Sequence, residues 1–152
     1  MKADVVHVRT LQSAQRDQMF VVLVQCFEGV TASQFQRDLD EKDYVVLLRD
    51  DTGTLVGFST YMMYQSAAVA RCTVVCSGDT VVLPCAWGSF ALHRIWLNTV
   101  RQQHLGFRGR LFWLLITSGF RTYRFLPVFF RRFVPSCMAE STAPLRGRLA
   151  AC

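Results

Sequence analysis

Asp79 is the only carboxylate between Asp51 and Glu140, and it follows Gly78 in a stretch rich in Val and Thr. A carboxylate in such a stretch can act as a general base that takes a proton from an amine. A Gly-Asp pair is also typical of a tight turn, where the side chain serves the local backbone. Both interpretations stay open, and Asp79 is the first candidate for a catalytic residue.

The segment after Asp79 has the pattern of an anion-binding loop. Residues 72–83 are strand-like, Pro84 cannot continue a hydrogen-bonded ladder, and from Phe90 the apolar residues recur at helical spacing. A helix that begins directly after a loop directs its unpaired N–H groups at that loop. We therefore expect residues 85–90 to hold an anion such as a phosphate, with Ser89 as helix cap or phosphate ligand.

Periodicity predicts the elements that position these residues. Strands are expected at 5–9, 44–49, 55–64 and 111–117, and residues 72–83 form either a bent strand or a tight hairpin. Helices are expected from a cap at Ser13 to about Phe27, from Thr31 or Ser33 to about Lys42, from Phe90 onward, and at 122–133 with a bend or break at Pro127. Gly53 suits the turn at 50–54, and the continuous apolar run at 111–117 predicts a central strand covered on both faces. The buried face of the first helix is predicted to consist of Met19, Phe20, Leu23, Val24 and Phe27.

Composition and charge limit the class of protein. The 152 residues, 51% of them hydrophobic and 18% charged, suit one folded domain. Residues 1–76 carry seven Lys and Arg against nine Asp and Glu, whereas residues 77–152 carry ten against two. The basic second half is expected to meet an anionic partner: a nucleotide-like cofactor, nucleic acid or a membrane surface.

The cysteines and the start of the chain indicate a reduced protein of the cytoplasm. The six cysteines contain no CxxC pair and the three histidines are not grouped with them, so we predict no metal site. Most of the cysteines are expected to be small buried apolar residues. The opening MKADVVHVRT lacks a signal-peptide core, and no later run approaches the roughly 20 apolar residues needed to cross a bilayer.

The predicted order of elements over residues 3–134 resembles that of the Gcn5-related N-acetyltransferase (GNAT) superfamily. The segment YVVLLRDDTGTLVGFSTY is similar to the second and third strands of that fold. The segment LFWLLITSGFRTYRFLPVFFRRFVP is similar to the fifth strand and fourth helix of an uncharacterised bacterial branch. The resemblance implies an α/β three-layer fold with a mixed, mainly antiparallel sheet that splits between the fourth and fifth strands. It also implies that acetyl-CoA lies in that gap, with its pyrophosphate on the loop before the central helix.

The same resemblance assigns the site residues. Backbone donors at Val81 and Val82 would polarise the thioester of the cofactor. The family's loop pattern, Arg or Gln, two residues, Gly, one residue, then Gly or Ala, is matched here only at Gly88, and Trp87 is bulky enough either to pack over the cofactor or to fill its place. Tyr123 lies where the superfamily often has a tyrosine that returns a proton to the CoA thiolate; a tyrosine packed at a helix start is the alternative. The full predicted cofactor set is Val81, Val82, Leu83, Ala86, Trp87, Gly88, Ser89 and Phe90.

The implied function is transfer of an acetyl or other acyl group from acyl-CoA to an amine by direct attack, with Asp79 as base and Tyr123 as acid. The alternative is a non-catalytic protein of the same fold that binds a membrane surface, a partner protein or nucleic acid through its basic half. The family normally has two further strands after the fourth helix, which the Ala, Ser, Pro and Arg-rich residues 136–152 do not provide. We expect a domain at 1–135 truncated after that helix, a disordered tail at 136–152, and a homodimer across the strand at 111–117.

Overall fold

The computed structural model describes residues 1–67, 69, 71–107, 109–116, 123, 125–130 and 133. The predicted tail at 136–152 lies outside these residues. Two short 3₁₀ turns, Val8–Thr10 and Pro84–Ala86, accompany the helices and strands. In chain order these are β1 (Lys2–His7), α1 (Ser13–Val24), α2 (Ala32–Asp40), β2 (Tyr44–Arg49), β3 (Leu55–Gln65), β4 (Cys72–Val82), α3 (Ala91–Leu105), β5 (Arg110–Leu115) and α4 (Phe125–Phe129).

The strands form one sheet in the order β1-β2-β3-β4-β5. The first three pairings are antiparallel, and β4 pairs with β5 in parallel. The β2–β3 turn forms as predicted, with Asp50 Oδ1 accepting from the N–H groups of Thr52 at 3.0 Å and Thr54 at 2.9 Å, and with Gly53 at φ 88°. The predicted mixed, mainly antiparallel sheet is confirmed.

Helices cover both faces of the sheet, which gives the three predicted layers. On one face α1 and α2 bury Met19, Leu23 and Phe35 against Phe58 of β3. On the other face α3 packs on an aromatic and aliphatic core, with Leu92, Trp96 and Val100 at four-residue spacing, and with Tyr61 and Val75 from the sheet. Among the described residues, no helix has the length and apolarity needed to cross a membrane.

The predicted limits of the first strand and helix need correction. β1 ends at His7, because Val8 begins a 3₁₀ turn. The cap of α1 is Gln12, not Ser13: Gln12 N–H donates to Gln15 Oε1 at 3.0 Å, and Gln15 N–H donates to the Gln12 carbonyl at 3.0 Å. The helix ends at Val24 rather than at about Phe27. Just after this end, Cys26 N–H donates to the Leu23 carbonyl at 3.0 Å.

The predicted buried face of α1 is wrong at its C-terminal end. Val24 and Phe27 are exposed, and Val22 is buried instead. Once the helix ends at Val24, the chain turns toward Gly29, which has a φ of 74°. Phe27 therefore leaves the helical stripe that carries Met19 and Leu23 into the core.

The prediction that the strand at 111–117 is covered on both faces is also wrong. β5 is the last strand in the order of the described sheet, and its side chains are only partly covered: Leu111 is 36% exposed, Leu114 48%, and Ile116, just after the strand, 68%. A continuous apolar run cannot show whether other elements cover it, because coverage depends on tertiary packing. Residue 117 lies outside the described part of the chain.

The predicted helix at 122–133 is described in part, as α4. That helix continues through Pro127, since Phe130 N–H donates to the Leu126 carbonyl at 2.9 Å. It is therefore not broken at the proline. Residues 122, 124, 131 and 132 of the predicted helix lie outside the described residues.

Candidate functional site

The central feature of the site is a β-bulge in β4. Ser59 pairs with Thr80 and Tyr61 pairs with Ser77, so Gly78 and Asp79 together lie opposite Thr60 alone. The extra residue bends a strand and redirects its side chains. Residues 72–82 therefore form one bent strand, and the hairpin alternative is wrong. Glycine suits the bulge, because a Cβ on Gly78 would overlap Thr60 Oγ1 and lie 2.8 Å from Lys42 Cε.

The bulge coincides with the end of the pairing between β4 and β5. The last parallel pair is Ser77 with Leu115. Trp113 of β5 fastens the two strands there, donating its indole N–H to Ser77 Oγ at 3.0 Å. Beyond this pair β4 continues to Val82 with β3 as its only strand neighbour among the described residues. Within the described residues, the pairing of β4 with β5 thus ends at the bulge, which agrees with the predicted split.

The backbone of β4 presents Val82, rather than Val81, to this gap. Leu83 N–H donates to the Val56 carbonyl at 2.9 Å, so Leu83 faces β3. Because N–H and C=O groups alternate in direction along a strand, those of Val82 face the opposite edge, and those of Val81 face Phe58 of β3. Of the two predicted thioester donors, the register directs only Val82 into the gap; the Val81 side chain is buried on the α1/α2 face.

The loop between β4 and α3 is short and tightly turned. Leu83 is half-buried, Ala86 is buried, and Ala86 N–H donates to the Leu83 carbonyl at 2.9 Å. Gly88 has a φ of 91°, and a Cβ there would have no atom within 4 Å. The backbone at Gly88 is therefore open to a ligand and takes a conformation that other residues rarely adopt.

The N-terminus of α3 has the features that favour an anion. Ser89 lies one residue before the N-cap, and its Oγ accepts from Ala91 N–H at 3.3 Å. Phe90 occupies the N-cap position with an exposed side chain, and its carbonyl accepts from Arg94 N–H at 2.9 Å. The first turn contains no carboxylate, and exposed Arg94 adds a positive charge that sequence reasoning did not single out. These residues fit a phosphate-bearing ligand such as CoA.

Trp87 lies at the edge of the gap. Its indole Nε1 donates to the Val82 carbonyl at 2.8 Å, and the side chain is 62% exposed. The Val82 carbonyl points away from β3, because the Leu83 N–H on the next residue is bonded to β3. In this structure the indole therefore occupies a hydrogen-bonding position on the free edge of β4.

The bulge directs Asp79 toward α1 and α2, where it lines a pocket of about 240 Å³. Burial of its carboxyl group raises the pKa of Asp79, nearby Asp38 raises it further, and Lys42 opposes both, although the residue as a whole is exposed to solvent. A carboxylate with a raised pKa is a better proton acceptor at neutral pH than an ordinary one. The pocket is lined by Leu23, Phe27, Gly29, Val30, Gln34, Phe35, Asp38 and Asp79.

Arg16 fixes the position of α2, which carries Asp38, against α1. Its guanidinium donates to Gln36 Oε1 at 2.9 Å and to Asp40 Oδ1 at 2.7 Å, and also to the Val8 carbonyl at 3.2 Å. The bonds to Gln36 and Val8 are partly buried, whereas the bond to Asp40, whose side chain is 62% exposed, faces water. The wall of the pocket is thereby held by a residue that the sequence pattern did not identify.

Tyr123 is half-buried and packs edge-to-face on Phe133, with ring centroids 6.4 Å apart. This contact agrees with its packing role, and its role as a general acid stays a prediction. His93, in the first turn of α3, is half-buried, and burial lowers its pKa.

No family model and no curated protein sequence matches the chain. Solved structures do match. A ribosomal-protein-alanine N-acetyltransferase from Brucella melitensis aligns with a TM-score of 0.66 at 11% identity, covering 90% of this chain and 96% of the other. An acetyltransferase from Trypanosoma brucei aligns with a TM-score of 0.61 at 14% identity, over 89% and 96% of the two chains.

A third match was crystallised with a ligand. The aminoglycoside N-acetyltransferase AAC(6')-Iy in complex with CoA aligns with a TM-score of 0.60 at 14% identity, over 86% of this chain and 88% of the other. All three likenesses extend over most of both chains, and at such identities they establish the fold alone. The predicted three-layer α/β fold is confirmed, and the chain has the fold of the GNAT acetyltransferases.

Proposed function

We propose that the chain is an acyl-CoA-dependent N-acyltransferase that transfers an acetyl or other acyl group directly to an amine. The observation that carries this proposal is the bulge in β4. At one point of the strand it ends the pairing with β5 and directs Asp79 into a pocket on the α1/α2 face. A gap for one substrate and a basic group for the other therefore meet at the same place.

The acyl-CoA would lie along the free edge of β4. Val82 offers the backbone N–H that faces the gap, and the open backbone at Gly88 leads to the N-terminus of α3 for the pyrophosphate. The similar fold of AAC(6')-Iy, which was crystallised with CoA, supports this placement. The loop and strand are anchored in the core by Val81, Leu83 and Ala86.

The amine would enter the pocket at Asp79. Asp79 accepts a proton from the ammonium group, and the nitrogen lone pair then attacks the carbonyl carbon of the thioester. Val82 N–H donates to the oxygen that becomes negative, and Tyr123 gives a proton to the thiolate as the carbon–sulfur bond breaks. The nitrogen, which is still positively charged after the attack, loses its second proton to the Tyr123 phenolate, and this restores the tyrosine. The pocket has an apolar floor of Leu23 and Phe35 and two carboxylates, which suits an amine with an apolar body and a second positive charge.

Calorimetric titration with acetyl-CoA tests the proposal. We expect millimolar affinity or better, and Gly88→Glu should abolish binding because it adds a carboxylate and a Cβ to the open loop. Gly53→Glu is a matched control: Gly53 also has a positive φ and open surroundings, but it lies in the β2–β3 turn. Equal binding by the wild type and Gly88→Glu, at equal folded content, would refute the loop assignment.

The Trp87–Val82 hydrogen bond favours a second candidate, a non-catalytic protein of the same fold whose gap is filled by its own side chain. Such a protein would bind a membrane surface, a partner protein or nucleic acid through its basic half. Arg110 of that half is exposed, whereas Arg108, Arg121, Arg124, Arg131 and Arg132 lie outside the described residues. Absence of acetyl-CoA binding and turnover in the wild type would favour this candidate.

We also propose a homodimer across β5. Its support is the partial exposure of Leu111, Leu114 and Ile116 at the last strand of the described sheet. Light scattering at tens of micromolar should show a dimer; a stable monomer with protected β5 amides would contradict it.

A further inference from the structure

Trp87 makes a hydrogen bond that a bound acyl-CoA would need for itself. Its indole N–H lies 2.8 Å from the Val82 carbonyl, which the ladder with β3 turns toward the gap. The arm of CoA contains two amide groups. An amide that lies along the edge of β4 must approach this carbonyl from the side where the indole now lies.

We propose that Trp87 sets the affinity for the amide arm of acyl-CoA, by holding the Val82 carbonyl in the free protein and yielding it when the arm binds. The inference rests on the proposed function, since it takes acyl-CoA as the ligand of the gap. It concerns the affinity for the arm, not the chemistry of transfer. Trp87 in this sense determines how tightly a ligand with the amide arm binds, relative to one without it.

The exposure of Trp87 favours outward movement of its ring. The side chain is 62% exposed, so outward rotation does not open the core. The backbone N–H of Trp87 donates to the Pro84 carbonyl at 3.2 Å and closes the 3₁₀ turn. The next residue, Gly88, has a positive φ, and a Cβ there would have no atom within 4 Å. The backbone can therefore stay in place while the indole moves.

The size of the effect follows from the exposure of the bond. A hydrogen bond between neutral groups that water can replace contributes modestly, so releasing it lowers ligand affinity by about three- to tenfold. Trp87 therefore weakens acyl-CoA binding without preventing it. This separates the proposal from a permanently filled gap, in which no CoA binds at all.

Trp87→Phe tests the proposal because it keeps an aromatic ring and removes the N–H. By calorimetry, the variant should bind CoA about three- to tenfold more tightly than the wild type. Adenosine 3′-phosphate 5′-diphosphate, the nucleotide end of CoA without the arm, should bind both proteins equally. In the wild type, the indole N–H signal of Trp87 should lose its protection from hydrogen exchange when CoA is added.

Other outcomes separate the failures. Unchanged CoA affinity in Trp87→Phe, or an equal change for CoA and the nucleotide, overturns this inference and leaves the proposed function intact. Weaker CoA binding by Trp87→Ala also overturns it, since that result would mean that the ring packs over the ligand. If no variant and no wild-type protein binds CoA or the nucleotide, the proposed function and this inference fail together.

Discussion

The two halves of β4 differ in what surrounds them. Residues 72–77 lie between β3 and β5 and are all buried. Residues 80–82 have β3 as their only strand neighbour in the described part of the chain, and Asp79 and Thr80 are exposed. The first half holds the sheet together, and in the proposed function the second half offers backbone groups and a carboxylate to ligands. In that proposal, one bulge separates the part of the strand that stabilises the sheet from the part that binds substrates.

The largest effect is expected on chemistry in the second half. Asp79→Asn, which removes the proposed base, and Tyr123→Phe, which removes the proposed acid, should each lower kcat by about 10²- to 10⁴-fold. Affinity for acetyl-CoA, measured by calorimetry, should change little. Unaltered turnover in either variant would leave that residue with a structural role only, in the bulge for Asp79 and in packing for Tyr123.

A smaller effect is expected on the stability of the first half. Gly109, just before β5, has a φ of 129°, and a Cβ there would overlap the Arg71 carbonyl that accepts from Arg110 N–H at 2.9 Å. Gly109→Ala should therefore lower the free energy of unfolding by at least about 2 kcal/mol. Gly53→Ala, where φ is also positive at 88° but no atom lies within 4 Å of the added Cβ, should cost about 1 kcal/mol. Equal losses in urea titrations would show that close contact of β5 with β4 is unimportant.

A weaker effect is expected on the choice of amine. Asp38→Asn should lower the preference for a diamine over a monoamine of equal length by about three- to fivefold in kcat/KM, because an exposed charge pair contributes little. Glu41→Gln is the control, since Glu41 follows the same helix and is not among the pocket residues. A preference that survives Asp38→Asn would remove Asp38 from the acceptor site.

The smallest effect is expected on the pH dependence of stability. Burial raises the pKa of Asp79 above its ordinary 3.8, so the folded protein keeps this proton where the unfolded chain has lost it. The free energy of unfolding therefore falls as pH rises from about 4 through the raised pKa. Asp79→Asn should be more stable than the wild type at pH 7, by less than about 1 kcal/mol because the side chain is partly exposed, and equal to it near pH 3. A constant difference across this range would contradict this cause.

Local chemistry explains which parts of the fold could be predicted from the sequence. The β2–β3 hairpin depends on Asp50 and Gly53, whose turn geometry is set within five residues. The stripe of Leu92, Trp96 and Val100 likewise identifies α3 by itself. The order of such elements was enough to suggest the fold.

Tertiary contacts explain what could not be predicted. Gly78 and Asp79 suit a turn as well as a bulge, and only the pairing of β4 on both sides of them decides. The approach of Asp38 to Asp79 depends on the docking of α2, which Arg16 fixes from another helix. For the same reason the sequence left two roles open for Trp87, packing over the cofactor or filling its place. Its hydrogen bond to the Val82 carbonyl could be identified only from the fold.

The bulge also has an evolutionary consequence. Because Ser59–Thr80 and Tyr61–Ser77 are both regular pairs, deletion of Gly78 would leave Asp79 opposite Thr60 and every other residue of β4 on its present face. A single codon therefore separates the bent strand from a straight one. One inserted residue at this position is enough to bend the strand without moving its core residues to the opposite face.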